Sequence, residues 1–466
     1  MVFSSLTFLY FFLPGVAILY FICKNRVYRN AILLVASVLF YAWGEPKFVV
    51  LMLAASFVAY IGGFLIERWR NRKSLCKAAC IITSLLLLSN LLIFKYLNFA
   101  TENLKLLFGE NFPVTQIVLP IGISFYTFQI LSYVIDLYRG QVALQKNFFY
   151  LTLYVCFFPQ LIAGPIVRYQ TVEEEIHTRQ ESLEDITEGL KRFIIGLAKK
   201  VILANGIAAV PELVYGGDPN VYGSAMYWIA AIAYALQIFF DFSGYSDMAI
   251  GLGRIFGFHF LENFNDPYSS KSITEFWRRW HISLSSWFRD YIYIPLGGNR
   301  VGRLRWILNI LVVWGLTGFW HGAQWNFLLW GLYYALILLI EKYLLSKVLK
   351  KLPGILSWAY AMVLILIGWV LFSQTELPQL WNSLKIMFSF RSTDWVVVAA
   401  ADTSILMAII YLPLGILCAW PGIRKIRLSN STLGMAVSYA GYLLLFALCV
   451  LLLISSTYNP FIYFRF

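Results

Sequence analysis

Apolar runs long enough to cross a membrane alternate with short polar connections along nearly the whole chain. About 20 apolar residues in helical form cross the hydrocarbon core of a bilayer, and the pattern predicts about eleven such spans. The first run, Phe8 to Cys23, has no basic flank before it and no small-residue cleavage site after it. It is expected to stay as an uncleaved first helix. Four spans are expected up to about Phe94, then an outer-face segment near Asn98–Gln116 and a further span to Ile135. Residues 148–168 hold F-F-P-Q-L-I-A-G-P-I, with prolines and a glycine inside an apolar run. Such a stretch predicts a re-entrant segment rather than a clean crossing. The run from Trp306 to Ile340 covers 35 residues. As one straight helix it would measure about 52 Å, against a core of roughly 30 Å. A break is therefore expected, with Gly315, Gly318 and Gly322 marking where.

One stretch has helical periodicity without the length or apolarity of a span. In residues 272–291, Ile273, Phe276, Trp277, Trp280, Leu284, Trp287, Phe288 and Tyr291 repeat at helical spacing. They fall within an arc of roughly 120° at the helical turn angle, with charged and hydroxyl residues on the other side. The pattern predicts a helix lying in the cytoplasmic interface, aromatic side toward the membrane.

Composition agrees with a polytopic all-helical membrane protein. The chain of 466 residues is 60% apolar and only 13% charged, where a soluble domain carries about 25% charged residues. One membrane-embedded unit over residues 1–466 is expected, since no soluble domain-sized stretch is present. The net charge of +13 gathers at Lys24–Arg29, Arg68–Lys77, Arg278–Arg279, Arg300–Arg305, Lys347–Lys351 and Arg424–Arg427. The positive-inside rule places these clusters in the cytoplasm and both termini outside. Topology accounts for the basicity, and nothing resembles a nucleic-acid module. The six cysteines lie in or beside apolar segments without a metal-binding pattern, so packing and no metal site is expected.

The candidate chemistry is confined to a few polar groups. His321, in G-L-T-G-F-W-H-G-A-Q-W, is the ionisable residue of the long broken run. Such a group at membrane depth faces a protein interior or a wet cavity, and an imidazole has the basicity to take a hydroxyl proton near neutral pH. Gln324 and Asn326 follow it, either as donors to a developing oxyanion or as polar packing residues. Upstream, F-F-D-F-S-G-Y-S-D crowds Asp241, Ser243, Tyr245, Ser246 and Asp247 into an apolar neighbourhood. It reads either as a packing network between helices or as the wall of a substrate passage. His281 lies at the border of the aromatic arc, either as an active-site neighbour or as a structural hydrogen-bonder. The Arg278, Arg279 and Arg289 side, followed by I-P-L-G-G-N-R, suits the phosphates of a nucleotide-like donor such as coenzyme A. Val172–Glu188, the most acidic stretch, is expected to be a solvated loop in which His177 has no catalytic role. His259 is expected to be structural.

Three stretches resemble the membrane-bound O-acyltransferase (MBOAT) family: E-N-F-N-D-P-Y (262–268), S-I-T-E-F-W-R-R-W-H-I-S-L-S-S-W-F-R-D-Y-I-Y-I-P-L-G-G-N-R (272–300) and G-F-W-H-G-A-Q-W-N-F (318–327). Strong similarity covers about Leu119 to Glu341, and its form is similar to the bacterial polysaccharide-acetylating branch, alginate O-acetyltransferase membrane subunits included. The resemblance implies many helices around a central tunnel, with His321 as the essential catalytic group and His281 on the cytoplasmic side of the passage. It also implies an O-acetyltransferase of the bacterial inner membrane. Acetyl would come from cytoplasmic acetyl-CoA and pass to an extracytoplasmic subunit, of the SGNH type, that esterifies an exported polysaccharide. Read from the residues alone, the C-terminal P-F-I-Y-F-R-F, placed outside, is either a docking segment for that partner or an aromatic end seated at the membrane interface. Where alginate relatives often carry a second W-H-G, this chain reads W-G-L-Y-Y-A (330–335), so no role of that histidine transfers. The alternatives are D-alanyl transfer from a carrier protein to teichoic acid and a polysaccharide transporter without chemistry. No paired repeat of broken helices, the mark of many transporters, is visible.

Overall fold

The computed structural model describes residues 1–393, 395, 404–422, 431–455 and 461–462. Among the described residues every regular element is a helix. This follows from the apolar composition, since a segment in lipid must satisfy its backbone groups internally. In chain order the helices are α1 (Phe8–Ile22), α2 (Arg26–Gly44), α3 (Val49–Arg68), α4 (Lys73–Phe108), α5 (Ile123–Arg139), α6 (Phe148–Cys156) and α7 (Tyr169–Thr178). There follow α8 (Leu183–Gly216), α9 (Ser224–Ile255), α10 (Ile273–Arg279), α11 (Ile282–Phe288), α12 (Arg303–His321) and α13 (Trp325–Lys351). The last four are α14 (Gly354–Ser373), α15 (Leu377–Met387), α16 (Ser404–Ala419) and α17 (Thr432–Ser455). Eight of the described helices are long and apolar enough to cross a membrane: α2, α3, α4, α8, α9, α13, α14 and α17.

The chain divides into two compact units, one of residues 1–193 with 245–261 and one of 194–244 with 262–466. In the first unit, α4 runs on through Asn98 to Phe108, where an outer-face segment was expected to begin. No proline or glycine interrupts it before Gly109, whose φ of 95° ends the helix. The Asn98 side chain then ties the following segment back, donating to Ile117 O at 2.8 Å and accepting from Ile117 N at 2.9 Å. After α6, residues 157–168 are non-helical and almost wholly buried, so the proline-bearing run is not one crossing helix. The acidic stretch 172–188 is not a solvated loop. It forms most of α7 and the start of α8, and between them the Glu181 carboxylate is buried against Arg26, Arg29 and the Tyr20 hydroxyl. Two guanidinium groups compensate the desolvation of that carboxylate.

The second unit holds the histidine motifs. The apolar run from Trp306 breaks at Gly322–Gln324, and Gly315 and Gly318 lie inside α12. With 19 residues α12 is about 28 Å long, close to the thickness of the core. The glycines have a different task from the one expected. A Cβ on Gly318 would stand 2.2 Å from Phe327 O, and one on Gly331 would stand 2.3 Å from Trp314 O. The backbones of α12 and α13 thus touch, as small residues allow between membrane helices.

The amphipathic stretch is also not a single helix on the membrane surface. It is α10 and α11, joined at Trp280–His281, and a further turn over Arg289–Tyr293. His281 has φ 45° and ψ 56°, a left-handed backbone that stops one helix and starts another. The aromatic arc of α10 packs on protein instead of lipid. Trp277 meets Trp330 and Tyr334 of α13 at 5.4 and 4.9 Å between ring centroids, and Trp280 meets Trp369 of α14 at 4.8 Å. Glu341 of α13 accepts from Ile273 N (2.6 Å), Thr274 N (2.9 Å) and Thr274 Oγ1 (2.6 Å), capping the start of α10.

Candidate active site

His321 is the last residue of α12, and the stop in the helix at Gly322 fixes where its ring points. It is 4% exposed. The rings of Trp320, Trp330 and Phe372 stand around it at 5.0, 5.1 and 5.2 Å between centroids, all near perpendicular. His281 reaches the same place from the other motif. Its ring lies 6.0 Å from that of Trp320 and 4.6 Å from that of Phe242. The two motif histidines, forty positions apart in the sequence, thus flank one indole.

His281 sits in a turn closed by hydrogen bonds. The segment E-N-F-N-D-P-Y lies along its turn: Ile282 N donates to Asn263 O at 3.0 Å, and Asn265 N donates to Arg279 O at 2.9 Å. The Asn263 side chain closes the turn. Its Oδ1 meets Ser283 N at 3.1 Å, Ser283 Oγ at 2.9 Å and His281 Nδ1 at 3.2 Å. Burial pushes the imidazole pKa down to about 3, so the ring is neutral and retains a lone pair at physiological pH.

The other expected site residues are dispersed. Arg278 is exposed. Arg279 pairs with Glu275 at 2.9 Å and donates to Asn265 O at 3.2 Å, and Arg289 pairs with Asp290 at 2.6 Å. Asp241 is buried and paired with Lys200 at 2.5 Å, while Asp247 pairs with Arg192 at 2.9 Å. Both aspartates thus make ion pairs between α8 and α9. Gln324 is exposed at the start of α13. Asn326 is fully buried, and its Nδ2 donates to Leu371 O and Phe372 O at 3.3 Å each. That amide is engaged in holding α13 to the end of α14. Among the described residues the Trp330 indole N–H beside His321 has no hydrogen-bond acceptor. His177 shares a hydrogen bond with Gln145 at 3.3 Å, and His259 is bound by Glu175 at 2.8 Å. No group of three or more His, Cys, Asp or Glu side chains among the described residues is arranged to hold a metal ion.

Sequence reasoning did not single out Asn263 or Glu341 for this site. Asn263 had a signal in the E-N-F-N-D-P-Y motif; Glu341 had none, because its partners are backbone amides 67 and 68 positions away.

Residues 141–374 match the membrane-bound O-acyltransferase family, a span that contains both histidines and all their neighbours named above. The chain belongs to the MBOAT family. It is an acyltransferase and a multi-pass membrane protein. Among its relatives, a probable alginate O-acetylase AlgI of Azotobacter vinelandii is 39% identical over the full length of both chains. A peptidoglycan O-acetyltransferase of Helicobacter pylori is 33% identical over 84% of this chain and 81% of the relative. A teichoic acid D-alanyltransferase of Bacillus subtilis is 29% identical over 64% of this chain and 76% of the relative. The MBOAT membership predicted by the three motifs is thereby established.

Proposed function

We propose that this MBOAT protein O-acetylates an exported polysaccharide, alginate-like in class, taking acetyl from cytoplasmic acetyl-CoA and passing it outward to an extracytoplasmic partner of the SGNH type. The observation that carries this reading is the meeting of His321 and His281 on Trp320 in a buried aromatic enclosure. The full-length likeness to a probable alginate O-acetylase supports acetyl as the group moved. We place the protein in the inner membrane, both termini outside, following the basic clusters.

In this reading His321 is the general base. It takes the proton of the acceptor hydroxyl as the hydroxyl oxygen bonds to the acetyl carbonyl carbon. The carbon–sulfur bond then breaks, and the proton passes to the departing thiolate. The Trp330 indole N–H, which is not committed to another acceptor among the described residues, supports a donor role toward the developing oxyanion. His281 assists from the cytoplasmic side, and Arg278, Arg279 and Arg289 contribute positive charge for the donor's phosphates. The exposure of Arg278 and Arg289 suits contact with a soluble donor.

The test is to label cells with radioactive acetate and measure ester acetate on surface polysaccharide. A His321→Ala chain present at normal level in the membrane is expected to lower it by about 100-fold or more. Undiminished acetylation would refute the assignment. Mild base applied to the same material separates the alternatives, because release of D-alanine in place of acetate would move the substrate to teichoic acid.

A further inference from the structure

Three observations around His281 converge on Asn263. The first is backbone conformation: His281 is a non-glycine residue in the left-handed region, which is unfavourable and persists only where surrounding contacts impose it. Asn263 supplies such contacts to the two residues after the turn, through its own carbonyl to Ile282 N and its side chain to Ser283 N. The second is burial, since Asn263 and His281 are both 1% exposed. The third is the identity of the atom facing the ring. The backbone N–H of Ser283 only donates, so the Asn263 atom that receives it at 3.1 Å is the carbonyl oxygen Oδ1 and not the amide nitrogen. That same oxygen lies 3.2 Å from His281 Nδ1. An oxygen only accepts, so Nδ1 carries the proton. In a neutral imidazole the lone pair then belongs to Nε2.

We propose that Asn263 is a positioning residue for His281: it fixes the left-handed turn and the Nδ1–H tautomer, making Nε2 the basic nitrogen of the ring. This rests on the reading of His281 as part of the acyl-transfer site. It assigns the ring a definite polarity, with Nε2 able to accept a proton or a hydrogen bond and unable to donate one. Ser283 belongs to the same device, since its hydroxyl contacts both Asn263 Oδ1 at 2.9 Å and His281 Nδ1 at 3.4 Å. The device resembles the partner groups that set the tautomer of catalytic and metal-binding histidines elsewhere.

The experiment uses the full chain with 15N-labelled histidine in detergent or vesicles. Nitrogen shifts distinguish protonated from lone-pair ring nitrogens, and the His281 signals among the four histidines are identified by their loss in His281→Asn. The expected wild-type result is a protonated Nδ1 and an unprotonated Nε2. Asn263→Ala is expected to lose the single tautomer and to lower polymer acetylation by about 10–100-fold per molecule in the membrane. Asn263→Asp, which keeps an acceptor at the same place, is expected to retain the tautomer and to stay within a few-fold of wild type. Three results would each overturn the proposal: a proton on Nε2 in the wild type, an unchanged tautomer in Asn263→Ala, or full acetylation by a variant that has lost the tautomer. If the wild-type chain moved no acetyl group, the functional reading would fail, while the ring nitrogens would still report on Asn263 independently.

Discussion

His281 must be buried, neutral and left-handed at once, and each demand leaves a measurable trace. The folded chain holds its pKa near 3 through burial, against about 6.5 for an unperturbed imidazole. Between those values the unfolded chain binds a proton that the native ring does not, so stability rises with pH across the window and falls on acidification. The loss from this group is on the order of 2 kcal/mol by about pH 5. A His281→Asn chain keeps a residue type tolerant of the left-handed backbone and removes the titration. Melting of the detergent-solubilised protein between about pH 7 and about pH 5 is expected to fall more steeply for wild type than for this variant. Parallel curves would show that the ring takes up its proton without unfolding.

At the level of elements, the decisive junction is the close contact of α12 with α13, because it sets the position of His321. A side chain at Gly331 must displace the carbonyl of Trp314. Gly331→Ala is therefore expected to destabilise the protein by about 1–3 kcal/mol, as overpacking does, and to lower acetylation per folded molecule. Gly315→Ala, where an added Cβ meets nothing closer than Leu328 Cδ1 at 4.0 Å, is the control and should be near neutral. Wild-type thermal stability in Gly331→Ala would contradict the backbone contact. The same junction shows how far the sequence could be read. The length of the Trp306–Ile340 run against the bilayer made a break necessary, and the W-H-G motif put His321 beside it. Which glycine ends the helix and which ones admit a neighbouring backbone depends on α13, and so did not appear in the local pattern. The aromatic arc of 272–291 was equally visible as a periodicity. Its break at His281 and its burial were not, since both arise from Asn263, Glu341 and the rings of α13 and α14.

At the scale of the whole molecule, a buried ion pair joins two long helices. Lys200 and Asp241, with side chains 3% and 2% exposed, pair between α8 and α9. Phe461 covers the ammonium group at 4.6 Å, and Ile462 N donates to Asp241 Oδ2 at 2.7 Å. Composition placed Asp241 in an apolar neighbourhood but could not name Lys200 as its partner. The remaining residues of the expected C-terminal docking segment, Pro460 and Tyr463–Phe466, lie outside the described residues, as do Arg424–Arg427. Removing one charge of a buried pair costs about 3–5 kcal/mol, and removing both costs much less. Lys200→Met is expected to lower the melting temperature sharply, and the double variant Lys200→Met with Asp241→Leu to recover most of it. Additive losses would mean that the two side chains are not coupled.

The contact of Ile462 with Asp241 also bears on biosynthesis. An amide made 221 positions later completes the surroundings of a carboxylate already synthesised. A ribosome that stops before codon 461 would release a chain with every membrane-length helix of the described set but without that amide donor at Asp241. In such a chain the loss would be felt at Asp241, far upstream of the missing residues.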